Sequence, residues 1–181
     1  MDEPPQGPER FIARQLRKRH LAGVWAGLAG LRPGMMVLDI GSGPGVLAAE
    51  YARMVGPAGA VYALDPGVAL LEPLPNLFAL RQDAAAPIAP PRPPDVVFLT
   101  DTLHHAADPG AVLRAVHEAC GQETVLLAAE YDPAGPGLVG ARPHRRMARQ
   151  TLLDLLRTAG FRVRFVVDAA DEHYAARAGR A

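Results

Sequence analysis

The stretch Val37-Leu38-Asp39-Ile40-Gly41-Ser42-Gly43-Pro44-Gly45 limits the folds open to this chain more than any other. It is a short apolar strand that runs into three alternate glycines. Glycine enters positive φ freely, and without a Cβ it lets a ligand approach the main chain. A helical pattern, Val46 to Met54, follows at once. Strand, glycine turn and helix together open a parallel α/β unit, and in such sheets ligands sit at the carboxyl ends of the strands. The spacing is G-x-G-x-G. A dinucleotide fingerprint needs glycine at 46, where this chain has Val46, so a nicotinamide-dependent oxidoreductase is disfavoured.

The same rhythm continues along the chain. Predicted strands at 36–40, 60–64, 77–81, 95–100, 124–129 and 161–167 alternate with predicted helices at 46–54, around 67–72, at 109–119 and at about 147–159. A last short strand is expected at 173–177. Residues 84–94 are too rich in proline for a helix and are expected to form a surface loop, and 132–145 are turn-rich. Ahead of the sheet, residues 1–8 are expected to be a disordered leader and 9–30 a single amphipathic helix ended by Gly30. Strands that are apolar in continuous runs require cover on both faces. The expected fold class is therefore α/β, a doubly wound sandwich forming one domain over residues 9–181.

Lysine and arginine total 19, as do aspartate and glutamate, so the formal net charge is zero. Without a net positive field, sequence-blind binding to nucleic acid or to an anionic membrane is not expected. The basic run 14–20 is read as the solvated face of the first helix. The most apolar early run, 21–31, is about half the length that spans a bilayer, and the acidic, proline-rich start is not a signal peptide. Cys120 is the only cysteine, which excludes an internal disulfide. A reducing, cytoplasmic setting is expected, with Cys120 a buried small residue and Trp25 part of the core.

Asp39 is an acid inside an apolar strand, which costs free energy unless it finds a partner. It is placed either to receive a ligand's ammonium through water or to hold the amides of the loop. Asp65 ends the second strand, where a carboxylate accepts both hydroxyls of a ribose. With these residues in view, VLDIGSGPGVLA resembles motif I of the class I S-adenosylmethionine-dependent methyltransferases. VYALDPG is similar to their second acidic motif, and Gln82-Asp83-Ala84 to the segment whose acid meets the adenine amino group. DVVFLTDTLHHAADPGAVLRAVHEA resembles the fourth-strand region of the branch that includes the ubiquinone and menaquinone biosynthesis methyltransferases, and LLDLLRTAGF its C-terminal part. The resemblance runs from about residue 35 to the end. It implies a Rossmann-like fold with a mostly parallel seven-stranded sheet, a last antiparallel strand and helices on both faces. It also implies S-adenosylmethionine as cofactor and S-adenosylhomocysteine as product. The cofactor-binding residues would be Asp39, Gly41, Ser42, Gly43, Asp65, Pro66, Asp83, Ala84 and Thr100. Where the family usually has Lys-Pro-Gly-Gly, this chain has Cys120-Gly121-Gln122-Glu123, a surface turn, and it carries no clear insertion to act as a substrate lid.

Asp101, His104 and His105 follow the fourth strand, close to where the methyl group should point. A histidine there can take a phenol or hydroxyl proton near neutral pH, which makes His104 and His105 the candidate catalytic residues. The competing reading is a turn pair, one ring packed and the other wet. Asp101, Glu130 and His144 are the candidate substrate-binding residues. Asp101, Glu130 and Asp132 are the acids that a divalent cation would use, an alternative that rests only on their being gathered by topology, and no metal is assigned. His144 with Arg142, Arg145 and Arg146 suits an acidic or phosphorylated acceptor, an exposed basic loop being the alternative. The resemblance also implies that Phe11 and Arg14, in the first helix, close over the methionine end of the cofactor. Thr100-Asp101-Thr102-Leu103 is not the tetrad of amino-directed nucleic-acid methyltransferases, and there is no Pro-Cys pair for cytosine chemistry. A small-molecule acceptor remains, methylated on oxygen or carbon. The alternative is a non-catalytic S-adenosylmethionine-binding module with a regulatory or partner role. The acceptor and the oligomeric state are not legible.

Overall fold

The computed structural model describes residues 8–181. The expected leader lies, except for Pro8, outside the described residues. Pro8 itself opens the first helix, α1 (Pro8–Arg17), a position where its missing N–H costs nothing. The rest of the helical frame is α2 (Leu21–Ala29), α3 (Val46–Val55), α4 (Pro109–Ala119) and α5 (Arg149–Thr158). The strands are β1 (Met36–Ile40), β2 (Ala60–Leu64), β3 (Leu77–Leu80), β4 (Val96–Thr100), β5 (Val125–Tyr131), β6 (Phe161–Asp168) and β7 (His173–Arg180). They form one seven-stranded sheet in the order β3-β2-β1-β4-β5-β7-β6, in which β7 alone is antiparallel to its neighbours. Chain order reverses between β1 and β4, so the carboxyl ends of these two strands frame the crevice where ligands enter such sheets.

Side chains alternate across the sheet, as the pleat requires. Leu38 and Ile40 of β1 join Val97, Leu99, Leu113, Val116, Leu152 and Leu156 under α4 and α5. Val37 points to the other face, where Trp25, Ala48, Tyr51 and Phe98 pack under α2 and α3. The Tyr51 and Phe98 rings stack with centroids 4.0 Å apart. Trp25 is buried, and each large side chain taken out of water this way contributes roughly 1.5–3 kcal/mol. Cys120 is buried as well, and burial pushes its thiol pKa up to about 12. No helix of the described residues is long and apolar enough to cross a membrane.

Two expected helices are corrected. The first, 9–30, is two helices divided at Lys18-Arg19-His20, because side chains of that turn are drawn away from a common helical face. Lys18 reaches Asp101, and His20 binds the Arg17 carbonyl and Asp171. The helix expected around 67–72 does not form. Its amides and carbonyls are taken by other partners: Gly67 N–H by Asp65, Leu71 N–H by the Pro44 carbonyl, and the Val68 carbonyl by Arg81. Pro73 and Pro75 then remove the donors a helix would need.

Candidate active site

The glycine turn is fixed by close approach on both sides. Gly41 has φ 73°, and a Cβ there would stand 2.2 Å from the Thr102 hydroxyl oxygen, which itself donates to the carbonyls of Ile40 and Thr100. Gly41→Ala is therefore expected to destabilise the fold by about 1–3 kcal/mol, the cost of a forced left-handed residue, read by denaturant titration. The amides of Gly41 and Ser42 both donate to the Leu64 carbonyl. Gly43 N–H donates to Asp65, whose other oxygen accepts from Gly67. The carboxylate that holds the loop is thus Asp65 and not Asp39, which corrects one of the two roles considered for Asp39.

Above this turn lies a cavity of about 670 Å³. Its floor is Asp39, Gly41, Ser42 and Thr100, at the carboxyl ends of β1 and β4. One wall is α1 with the turn after it, which present Phe11, Arg14, Gln15 and Lys18. Asp65 is half-buried beside the cavity. Pro66 and Asp83 are exposed and Ala84 is half-buried along the same sheet edge, outside the cavity lining. Asp83 accepts from the Ala85 amide.

Asp39 is enclosed, and its Oδ2 has no hydrogen-bond partner; nor has the buried Ser42 hydroxyl. Burial, reinforced by Asp65, pushes the Asp39 pKa up from 3.8 to about 8. Two orphaned polar groups on a cavity floor beside an open glycine turn are what a polar, cationic ligand group would satisfy. They fit the amino-acid end of S-adenosylmethionine.

Asp101 follows β4 with φ 55°, a conformation that non-glycine residues rarely adopt and that recurs at functional sites. It lines the cavity, but its carboxylate is already engaged. Oδ2 accepts from Lys18 at 2.6 Å and Oδ1 faces His173 Nε2 at 2.8 Å. Burial opposes the charge on Asp101, yet His173 and Lys18 outweigh it and hold its pKa at about 2. Lys18, read from sequence as part of a solvated face, is half-buried and ties the end of α1 to Asp101.

His104 and His105 lie on a short 3-10 turn, Leu103–His105. The His105 ring is exposed; burial of its inner part and the neighbouring His104 lower its pKa. His104 is packed, with 3% of its side chain exposed, and its Nδ1 lies 2.5 Å from Glu130 Oε2. Glu130 is 0% exposed and its other oxygen accepts from Leu103 N–H. Glu130 therefore does not face the acceptor as expected; it sits behind His104 and aims it. Among the described residues no three His, Cys, Asp or Glu side chains gather as metal ligands.

The roof of the cavity is the segment 132–146, which the sequence showed only as turn-rich. Arg146, grouped from sequence with the substrate-facing basic residues, is instead 0% exposed in its side chain. Its guanidinium donates to the carbonyls of Asp132, Val139 and Ala141 and to Glu172. Glu172 also accepts from the amides of Gly137, Leu138 and Val139. Gly140 lies on the Tyr131 ring so closely that a Cβ would overlap it at 1.9 Å. This staple presents Arg142, His144 and Arg145 at the cavity lining. This loop borders the cavity without any insertion in the chain. Its sequence signal, arginine paired with a glutamate 26 residues away, is invisible without the fold.

Residues 10–166 match the model of a methyltransferase domain family. The chain belongs to that family. No protein of curated function matches it by sequence. Among solved structures, it resembles a SAM-dependent methyltransferase from Aquifex aeolicus at 23% identity, covering 88% of this chain and 89% of that one, with a TM-score of 0.76. It also resembles the O-methyltransferase NcsB1 of neocarzinostatin biosynthesis, solved with S-adenosylmethionine and 2-hydroxy-5-methyl naphthoic acid. There the identity is 20%, the coverage 97% of this chain and 59% of that one, and the TM-score 0.69. The [4+2]-cyclase SpnF is similar too, at 16% identity, 90% and 81% coverage and a TM-score of 0.74. Such likenesses establish the fold, a class I, Rossmann-like methyltransferase fold. S-adenosylmethionine, bound in the NcsB1 structure, is also the cofactor that the sequence resemblance implies for this chain. The quinone-biosynthesis branch rests on the sequence resemblance alone.

Proposed function

We propose that this methyltransferase acts on a hydroxyl group of a small molecule, with His104 as the proton acceptor. The observation that carries this reading is the His104–Glu130 pair at the cavity lining. A carboxylate only accepts hydrogen bonds, so Glu130 fixes the proton on Nδ1 and leaves Nε2 as a base. Among the described residues nothing bonds to that Nε2. When bound, S-adenosylmethionine supplies an electrophilic methyl group on a sulfonium sulfur. The chain's part is to hold the acceptor oxygen in line, exclude water and take its proton.

Asp39 and Ser42 would hold the amino-acid end of the cofactor, with Phe11 and Arg14 of α1 over it. Asp65 would take the ribose hydroxyls, and Asp83 with Ala84 would meet the adenine. Pro66 and the Thr100 backbone would border it. The proposed setting is the cytoplasm, in keeping with one buried thiol.

A non-catalytic binding module has no use for a buried carboxylate that orients a histidine into the cavity. The two readings separate on methyl release, measured with labelled S-adenosylmethionine against phenols, quinols and hydroxy acids. Transfer to none of them, with cofactor bound, would remove the catalytic reading. Asp65→Ala is expected to weaken S-adenosylmethionine binding by about 1–3 kcal/mol, the scale of losing a charged hydrogen-bonding partner. Calorimetry checks this, and unchanged affinity would reject the ribose role.

A further inference from the structure

The cavity's two acids carry little free negative charge. The charge of Asp101 is matched by Lys18 and bonded by His173. Asp39 keeps its proton up to about pH 8. The cations are arranged differently. Arg14 contributes from α1, its Cζ 5.6 Å from the Phe11 ring centroid, and Arg145 contributes from the roof together with His144. Among the described residues neither Arg14 nor Arg145 has a carboxylate partner. The lining therefore carries a surplus of positive charge, although the whole chain is neutral.

A neutral acceptor seated against the roof would cover guanidinium groups without replacing their water. An anionic group replaces it, because a guanidinium fork matches a carboxylate or phosphate geometrically. The roof that carries Arg145 is held by the buried Arg146 and Glu172, so this cation is presented on a rigid support.

From this geometry we infer that the acceptor is a small hydroxy compound bearing an anionic group, which Arg145 and His144 of the roof bind while its hydroxyl faces His104. This rests on the hydroxyl-directed reading above. It adds the substrate class and assigns specificity to the roof.

The experiment is a binding measurement, so that it does not depend on turnover. The chain saturated with S-adenosylhomocysteine is titrated calorimetrically with hydroxybenzoates and hydroxynaphthoates, with their neutral methyl esters, and with hydroxyphenyl phosphate. At least one anion is expected to bind tenfold or more tightly than its neutral counterpart, and the carboxylate and phosphate arms show which anion is preferred. Arg145→Gln is expected to erase that preference and Arg145→Lys to restore part of it, with S-adenosylhomocysteine affinity unchanged in both. Arg145 is exposed, so neither variant disturbs the core. Esters that bind as well as the acids, a preference that survives Arg145→Gln, or no binding by any anion would each overturn the inference. Failure of the methyltransferase reading shows separately, as cofactor binding without transfer to any hydroxyl.

Discussion

With asparagine in place of His104, methyl transfer is expected to slow by about 10²–10⁴-fold, the range lost with a general base. Cofactor affinity should stay at the wild-type value, because His104 lies at the acceptor side of the cavity. Asparagine is the informative substitute, since its amide can still donate to Glu130. Removing that donor altogether would leave Oε2 of a fully buried carboxylate unpaired, with only the Leu103 amide on the other oxygen, and the fold itself would suffer. Single-turnover rates with a phenolic acceptor are the measurement. A phenol ionises by itself near pH 10, so the deficit of the variant should shrink as pH rises toward that value. Glu130→Gln should show a smaller loss, because the histidine keeps a neighbour but loses the charge that fixes its tautomer. A variant that keeps its full rate at pH 7, or a deficit that ignores pH, would take His104 out of the mechanism.

The second large effect concerns Asp39, and it appears in stability and in binding with opposite signs. The native pKa of about 8 lies above the ordinary value of 3.8. The folded chain therefore holds this proton more tightly than the unfolded chain does. Its contribution to stability is fully present below pH 3.8 and is lost as pH rises through about 8. At 1.36 kcal/mol per pKa unit the loss is on the order of a few kcal/mol. Asp39→Asn, which never ionises, should make the cofactor-free chain more stable than wild type at pH 8.5 by that order. At pH 4 the two should be nearly equal. The same substitution should weaken S-adenosylmethionine binding, because the ligand's ammonium then meets no charge. Wild-type affinity should rise with pH toward 8 as binding expels the proton. Denaturant titrations at the two pH values and calorimetry in buffers of different ionisation enthalpy test this. Parallel stability curves for variant and wild type would mean that Asp39 is solvated in the free protein.

The parts of the fold that depend on local pattern were legible from sequence. Continuous apolar runs such as Val37-Leu38 and Val96-Val97-Phe98-Leu99 left little choice but buried parallel strands, and the glycines at 41, 43 and 45 marked the ligand turn. The floor of the site followed, because topology puts Asp39, Thr100 and Asp101 at one sheet edge whatever their partners are. What stayed hidden was pairing over distance. Lys18 looks solvated until Asp101, 83 residues away, is placed beneath it. Glu130 and His104 are 26 residues apart, and only the pairing of β4 with β5 decides that the acid lies behind the ring and not beside the substrate. Arg146 belongs to an arginine-rich run in which periodicity marks no member as buried. The missing helix at 67–72 has the same cause: Asp65 and Arg81 bid for its backbone, and neither appears in a local window.

Strand β7 lies between β5 and β6 and runs against both, so its first residue and not its last arrives at the ligand edge. His173 thereby reaches Asp101, and Glu172 just before it holds the roof. The glycine turn draws on Leu64 and Asp65 at the end of β2 and on Thr102 after β4, all of which precede β7 in the chain. The two halves of the site are therefore tied to different parts of the chain: the glycine turn to residues ahead of α4, and Asp101 and the roof to Glu172 and His173 where β7 begins.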